Sequence, residues 1–290
     1  MFVSLLIGSI VIGGVYGLLA LGYSLIYRAS GLLSFAQGDM LMIGGMLGLT
    51  FYKEMDLPFG VAFAIVSILI FTMGFLMEKF IVRPILKRKG TAMHIILVTI
   101  GISILLQNFV LIVYNSDVKM FPSIFGVTTI TVLGFRVPPE SLLAIAVAIV
   151  AMVILHMFMK HSRMGTAMRA AAQDELAASA YGIHVSFVKG TTWGISGALA
   201  GIAGMIIGPV YGVHMAMGIS LGVKAFAAAI IGGFGNLYGA VVGGMMLGII
   251  ETFAGGYISS QAKDFVSFLV LILFLITRPR GFFNVKLHDS

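Results

Sequence analysis

The stretch FVSLLIGSIVIGGVYGLLALGYSLIY (2–27) decides the fold class, because it carries no charged side chain from its first residue to its last. A helix needs roughly 20 apolar residues to cross a hydrocarbon core of about 30 Å. Further largely apolar runs follow at 60–82, 94–114, 141–159, 191–210 and 265–277. The sequence therefore predicts an all-α polytopic integral membrane protein.

The composition excludes a soluble domain. Hydrophobic residues make up 59% of the 290 positions and charged residues only 10%, whereas a soluble surface needs about 25–35% charged residues. The 37 glycines suit helices that pack closely in a bilayer. The net charge of +7 does not point to a nucleic acid partner, because basic residues of membrane proteins concentrate in cytoplasmic loops.

The basic residues predict the orientation of the chain. Applied to Arg28 and to the segments 83–89, 160–189 and 278–286, the positive-inside rule places the N-terminus outside and the C-terminus in the cytoplasm. The loop 115–140 is then periplasmic, with a short hairpin predicted around TTITVLGFRV (128–137). We expect one transmembrane domain over 1–290, with about eight membrane segments.

Short or broken helices are predicted in each half of the chain. The polar turn SFAQGD (34–39) precedes a short apolar piece at 40–52, and GGFGNLYG (232–239) separates two short arms at 221–231 and 240–253. Discontinuous helices are tolerated inside a membrane only where they line a cavity or are buried in protein. The regions 30–52 and 221–253 are therefore the expected borders of a transport pathway.

Polar residues inside the membrane segments are the candidates for contact with a substrate. Together with neighbours in the two turns, the candidate pathway residues are Ser34, Phe35, Gln37, Asp39, Gln107, Asn108, Asn236 and Glu251. Simpler roles stay open for three of them. Asp39 is equally placed to cap a helix that begins at Met40, and helix–helix hydrogen bonds are the favoured role for Gln107 and Asn108.

A charged, alanine-rich stretch, MRAAAQDELAASAYGI (168–183), lies within the predicted cytoplasmic segment 164–187. Asp174 is placed to cap a helix over 175–181, and Gly182 is placed to end it. Met168, Ala172, Leu176 and Ala180 recur every four residues and predict one apolar stripe. So short a helix needs a surface to pack against, which is either this protein's own helices, lipid headgroups or a partner protein.

Five ordered motifs resemble one family. They are GLLALGYSLIYRASGLLSFAQGDMLMIGG (17–45), EKFIVRPILKRKG (78–90), TIGISILLQN (99–108), SRMGTAMRAAAQDELAASAYGI (162–183) and VKAFAAAIIGGFGNLYGAVVGGMMLGIIE (223–251). This chain resembles the permeases of branched-chain amino acid ATP-binding-cassette (ABC) transporters. Ser34 departs from the family's commoner asparagine, and the turn at 236–238 is bulkier than the family's, so both bear on substrate choice.

The resemblance implies partners and a coupling helix. Two cytoplasmic ATPase subunits, a second permease subunit (identical or homologous) and a periplasmic substrate-binding protein are expected, in a bacterial inner membrane. ATP and Mg²⁺ would be bound by the ATPases, and this chain itself is expected to hold no cofactor or metal. The residues that would contact the ATPase are Arg169, Ala170, Gln173, Asp174, Glu175 and Gly182.

Three other functions are weighed against this one. The chain has no G-x-x-x-x-G-K-[ST] phosphate loop, so we expect no ATPase site of its own and no enzyme activity. A permease of the same family for urea, amides or other amino acids is the first alternative, and an ion-coupled carrier is the second. GISG (194–197) suggests an intramembrane serine protease built on Ser196, but small residues around it favour helix packing.

Overall fold

The structure is a computed structural model that describes residues 2–126, 129–132, 135–278 and 281–283. Helices dominate it. The α-helices of this part are α1 (Phe2–Ser30), α2 (Gln37–Leu49), α3 (Phe59–Met77), α4 (Arg83–Lys87), α5 (Ala92–Tyr114), α6 (Pro139–His161), α7 (Arg163–Gln173), α8 (Glu175–Ala180), α9 (Val185–Tyr211), α10 (Met217–Gly232), α11 (Leu237–Tyr257) and α12 (Ala262–Thr277). π-helical turns extend α2 over Thr50–Glu54 and join α3 to α4 over Glu78–Val82.

Within the described residues, six helices are long and apolar enough to cross a membrane. They are α1, the continuous rod Phe59–Lys87, α5, α6, α9 and α11. These helices confirm the predicted all-α polytopic fold. The three shorter apolar helices α2, α10 and α12 have 13, 16 and 16 residues.

The predicted hairpin is present in the loop before α6. Strand β1 (Ile130–Val132) pairs with β2 (Phe135–Val137) in antiparallel register, with Ile130 opposite Val137. Residues 127–128 and 133–134 of this predicted loop lie outside the described residues. An isolated bridge between Lys119 and Val213 ties the loop to the end of α9.

The helices α1–α2–α3 and α9–α10–α11 form an inverted repeat. A long helix is followed by a glycine with positive φ, Gly31 (64°) in one half and Gly212 (76°) in the other. A short helix then begins after Ala36 (φ −77°, ψ −3°) or Ala216 (φ −77°, ψ −7°). The backbone after α1 and the backbone after α9 therefore share a positive-φ glycine and an alanine N-cap with nearly the same dihedral angles.

The two halves run in opposite directions. Gly22 of α1 lies against Ser196 of α9, while Gly8 lies near Tyr211 at the C-terminal end of α9, so these two helices are antiparallel. Inverted repeats of this kind place a pathway at the interface between the repeats.

This repeat corrects two predictions about the second half. The counterpart of SFAQGD (34–39) is HMAMGI (214–219) and not GGFGNLYG (232–239). The arm predicted at 240–253 is not short, because α11 has 21 residues and its small side chains pack it along the whole of α1. A Cβ at Gly248 would lie 2.5 Å from the Gly13 Cα.

The predicted apolar stripe along 168–180 is also wrong. Asp174 adopts an extended backbone (φ −154°, ψ 112°), which ends α7 and starts α8. The break turns the two helices so that Met168 and Ala178 are buried while Leu176 is 85% exposed.

Candidate translocation site and coupling segment

The first turns of α2 and α10 meet inside the helix bundle. A Cβ added to Gly38 would overlap the carbonyl oxygen of Gly218, and one added to Gly222 would lie 2.9 Å from the Gly38 Cα. Only glycine permits this approach of two backbones. Two helix N-termini, each with backbone N–H groups left free by the helical pattern, are thereby brought to one place.

Buried polar atoms without partners surround the start of α2. Ser34, Gln37 and Ser196 are each at most 1% exposed. Among the described residues the two serine Oγ atoms and the Gln37 Oε1 have no hydrogen-bond partner, although the Gln37 Nε2 donates to the Ser196 carbonyl at 2.8 Å. An unpaired buried polar group costs about 1–3 kcal/mol. The cluster therefore holds unused hydrogen-bonding capacity.

Asp39 completes this site from the same first turn of α2. It is 1% exposed, and its Oδ1 accepts a hydrogen bond of 2.9 Å from the Gln107 Nε2 of α5. Gln107 also donates to the Ser103 Oγ at 3.0 Å. The alternative role of Asp39 as a helix N-cap is wrong, because α2 begins at Gln37 with Ala36 as its N-cap.

Aromatic rings flank the same site. The backbone N–H of Phe35 donates to the Thr99 Oγ1 at 3.2 Å. The ring centroid of Phe35 lies 5.6 Å from the ring centroid of Phe226 on α10. Tyr23 packs edge-on against Phe226 at 5.6 Å and donates to the Gly222 carbonyl at 3.3 Å. The start of α2 thus combines free polar atoms with an apolar wall.

Three predicted pathway residues lie elsewhere. Asn108 donates to the Ile104 carbonyl of its own helix at 2.7 Å. Asn236 caps α11, accepting from the backbone N–H groups of Tyr238 and Gly239 at 3.0 Å each. Glu251 belongs to a separate charged cluster.

That charged cluster joins four helices and was missed from the sequence. The Lys224 Nζ of α10 lies 2.6 Å from the Glu251 Oε1 of α11 and 2.6 Å from the Asp264 Oδ1 of α12. The Tyr16 hydroxyl of α1 donates to the Glu251 Oε2 at 2.7 Å. The available signal was a lysine inside the apolar run 221–231, since an intramembrane charge is rare without a partner or a role.

The segment between α6 and α9 forms two short helices. Ser162 caps α7 by accepting from the Gly165 N–H, and the Asp174 Oδ1 caps α8 by accepting from Leu176 and Ala177 at 2.8 and 2.9 Å. Gly182 ends this unit with φ 81°, in open space. Both predicted caps of the second helix are confirmed.

The predicted contact residues of this segment face different ways. Gln173 is exposed and Ala170 half-buried. Glu175 pairs with Lys189 of α9 at 2.5 Å. Arg169 donates to the Thr166 Oγ1 at 3.2 Å and lines a cavity beside α1 and α6. The large hydrophobic side chains that α8 and its C-cap expose are Leu176 and Tyr181, at 85% and 89%.

Comparison with known proteins decides the family. Residues 5–275 match the family model described as a branched-chain amino acid transport system permease component. The chain belongs to this family. The permease is 33% identical to LivH of Salmonella typhimurium over 97% of this chain and 94% of the relative, and 33% identical to BraD of Pseudomonas aeruginosa over 95% and 94%. Both relatives are high-affinity branched-chain amino acid transport system permease proteins.

A solved structure shares the fold of the permease. It is PsaBC from Streptococcus pneumoniae in complex with a Fab, which aligns with a TM-score of 0.54 over 96% of this chain and 91% of that one. The sequence identity is 16%, so the similarity concerns the fold alone.

Ser196 of the permease sits in a packing environment. Gly194, Gly197 and Gly201 on the same helix lie against α3, and a Cβ at Gly197 would come within 2.7 Å of the Ile70 carbonyl oxygen. Among the described residues no histidine accepts a hydrogen bond from the Ser196 hydroxyl. The small residues around Ser196 therefore serve the close packing of α9 against α3.

Proposed function

We propose that this chain translocates branched-chain or related amino acids across the bacterial inner membrane by alternating access, as the permease subunit of an ABC importer. The observation that carries the proposal is the contact of Gly38 with Gly218, which joins the two discontinuous helices of an inverted repeat in the bundle interior. In transporters of this construction, substrate sites lie at the repeat interface, where half-helix N-termini face anionic groups.

The substrate pathway passes the start of α2. The N-termini of α2 and α10 favour the carboxylate of an amino acid. The unpaired oxygens of Ser34 and Gln37, with Asp39 and its partner Gln107 behind them, accept hydrogen bonds from its ammonium group. Phe35 and its aromatic neighbours face the aliphatic side chain. Asn108, Asn236 and Glu251 are not included in this pathway.

The segment 164–187 couples the permease to two cytoplasmic ATPases. Leu176 and Tyr181 form an apolar pair that water covers in the isolated chain, and burial of such side chains contributes about 1.5–3 kcal/mol each. We propose that this pair inserts into a groove of the ATPase. Asp174 and Gly182 act by fixing the geometry of α8, and Glu175 by tying it to α9 through Lys189.

The remaining subunits and the orientation follow the same proposal. A second permease subunit and a periplasmic binding protein complete the importer, with the N-terminus outside and the C-terminus in the cytoplasm. The positions of three basic residues support this orientation, since Arg28 near the end of α1, Lys160 near the end of α6 and Arg169 of α7 line one cavity. Arg280 and Lys286, part of the basic C-terminal segment, lie outside the described residues.

The coupling helix is tested by removing its exposed apolar pair. In the reconstituted importer, L176S/Y181S is expected to lower ATP-driven amino acid uptake about tenfold or more, because docking anchors contribute about 2 kcal/mol or more. M93S is the matched control, since Met93 is 60% exposed at the start of α5. Normal uptake with L176S/Y181S, or an equal loss with M93S, would contradict the assignment.

A further inference from the structure

A cavity of about 710 Å³ opens between α1, α6, α7 and α11. One end of it is basic, lined by Arg28, Lys160 and Arg169 with His156 nearby. Among the described residues no carboxylate lines it, and none of the ion pairs found there involves these three cations. The basic end of the cavity therefore carries positive charge that no carboxylate of the described residues neutralises.

The other end of the cavity is apolar. On α1 the lining changes from Leu21 to Arg28, and on α6 it changes from Met152 and Val153 to Lys160. Eight residues of α6 correspond to a depth of about 12 Å. Both helices therefore run from an apolar wall to a basic rim in the same direction along the cavity.

The apolar wall reaches the outer surface of the bundle. Val153 is 50% exposed and Val242 of α11 39% exposed, although both line the cavity. Neighbours on the same faces, Ile149 of α6 and Ile249 of α11, are 50% and 42% exposed. In a membrane these faces meet hydrocarbon, so the cavity is open sideways to lipid.

We infer that this cavity binds one anionic phospholipid, with its phosphate at Arg28 and Lys160 and an acyl chain along Met152, Val153 and Val242. Basic pockets between membrane helices on the cytoplasmic side suit such headgroups. A purely acidic protein segment would match the rim but leave the apolar wall uncovered. Free phosphate would match the rim alone, whereas a phospholipid matches both parts.

Native mass spectrometry of the full-length chain and of the assembled importer tests this inference. The chain is titrated with phosphatidylglycerol, phosphatidylcholine or inorganic phosphate. We expect one retained phosphatidylglycerol per permease, at least fivefold weaker retention of phosphatidylcholine, and no retained phosphate. R28Q/K160Q is expected to weaken phosphatidylglycerol retention about tenfold. K160Q alone should weaken it by a smaller factor. Because Lys160 is exposed, its replacement leaves the helix packing intact.

K87Q/R88Q is the matched control, because it removes the same charge from another predicted cytoplasmic position outside the cavity. It should retain phosphatidylglycerol like the unchanged chain. Equal retention of the two lipids, equal loss in the control, or unchanged binding in both R28Q/K160Q and K160Q would overturn the inference. So would retention by the isolated chain that disappears in the assembled importer, because a protein subunit would then cover the cavity.

Discussion

Gly38 and Gly218 lie in backbone contact, and they occupy equivalent second positions of two short helices that run in opposite directions from this point. A methyl group on Gly38 would overlap the Gly218 carbonyl oxygen, and one on Gly218 would crowd the Asp39 carboxylate. This close approach joins the two halves of the permease at the starts of α2 and α10.

Substitution of Gly38 should disturb the junction strongly. G38A is expected to lower the thermal stability of the purified permease and to reduce uptake, because the new methyl group would overlap the Gly218 carbonyl. Overpacking of this kind costs about 1–3 kcal/mol or more. G60A is the control, since Gly60 of α3 has open space around its Cβ position. A variant G38A as stable and active as G60A would refute the tight junction.

Removal of the Gln37 amide should impair substrate passage. Loss of a hydrogen bond to a charged group costs about 1.5–3 kcal/mol, so Q37L is expected to lower amino acid uptake about tenfold while basal ATPase activity stays unchanged. N108L removes an amide that donates to Ile104 within α5 and should leave uptake within about twofold. The proposed pathway fails if Q37L transports normally, or if both variants lose uptake alike.

The Lys224–Glu251 pair should couple in stability. K224M leaves the 3% exposed Glu251 carboxylate buried without its cation, which costs about 3–5 kcal/mol when a buried pair is broken. The double variant K224M/E251L should recover most of the lost thermal stability. D264N serves for comparison and should cost less, because the Asp264 side chain is 58% exposed. Additive effects of K224M and E251L would argue against the pair.

The cap of α8 should set the order of the coupling helix. D174A is expected to speed hydrogen exchange of the amides of 176–180, since loss of an N-cap costs about 1 kcal/mol. D174N retains a capping oxygen and should exchange almost like the unchanged chain. Fast exchange in both variants would mean that the charge, and not the cap, orders the helix.

The absence of cysteine allows a clean test of orientation. Single cysteines replacing Asp56, before α3, and Tyr181, after α8, should react from opposite sides of the membrane. Tyr181 is 89% exposed and is expected on the cytoplasmic side. An impermeant maleimide added outside intact cells should label D56C and spare Y181C. The opposite pattern would reverse the proposed orientation.

Local patterns predicted much of this molecule. The long apolar runs identified five of the helices long enough to span a membrane, whereas α11 was predicted as a short arm. The side-chain chemistry of Asp174 and the backbone freedom of Gly182 predicted both ends of α8. Asp174 is also the reason why the predicted apolar stripe is wrong. A residue whose side chain caps the following helix takes an extended backbone, so it cannot continue the preceding helix. Caps and spans depend on neighbours in sequence, which is why the sequence reveals them.

The site depended on contacts between distant residues. SFAQGD (34–39) and HMAMGI (214–219) share only an alanine and a glycine, so their equivalence rests on backbone geometry and is hidden from sequence comparison. Lys224 stood out as a charge within an apolar run, but its partners come from α1, α11 and α12. Such pairings become visible only when the helices are packed.

Transport by reconstituted proteoliposomes tests the central claim most directly. The permease, its ATPases and the binding protein are combined, and uptake of radiolabelled leucine is measured with and without ATP–Mg²⁺, and with ionophores that collapse ion gradients. We predict uptake that requires ATP and the binding protein and persists when the gradients are abolished. Uptake by the permease alone, driven by a proton or sodium gradient without the ATPases, would contradict the account.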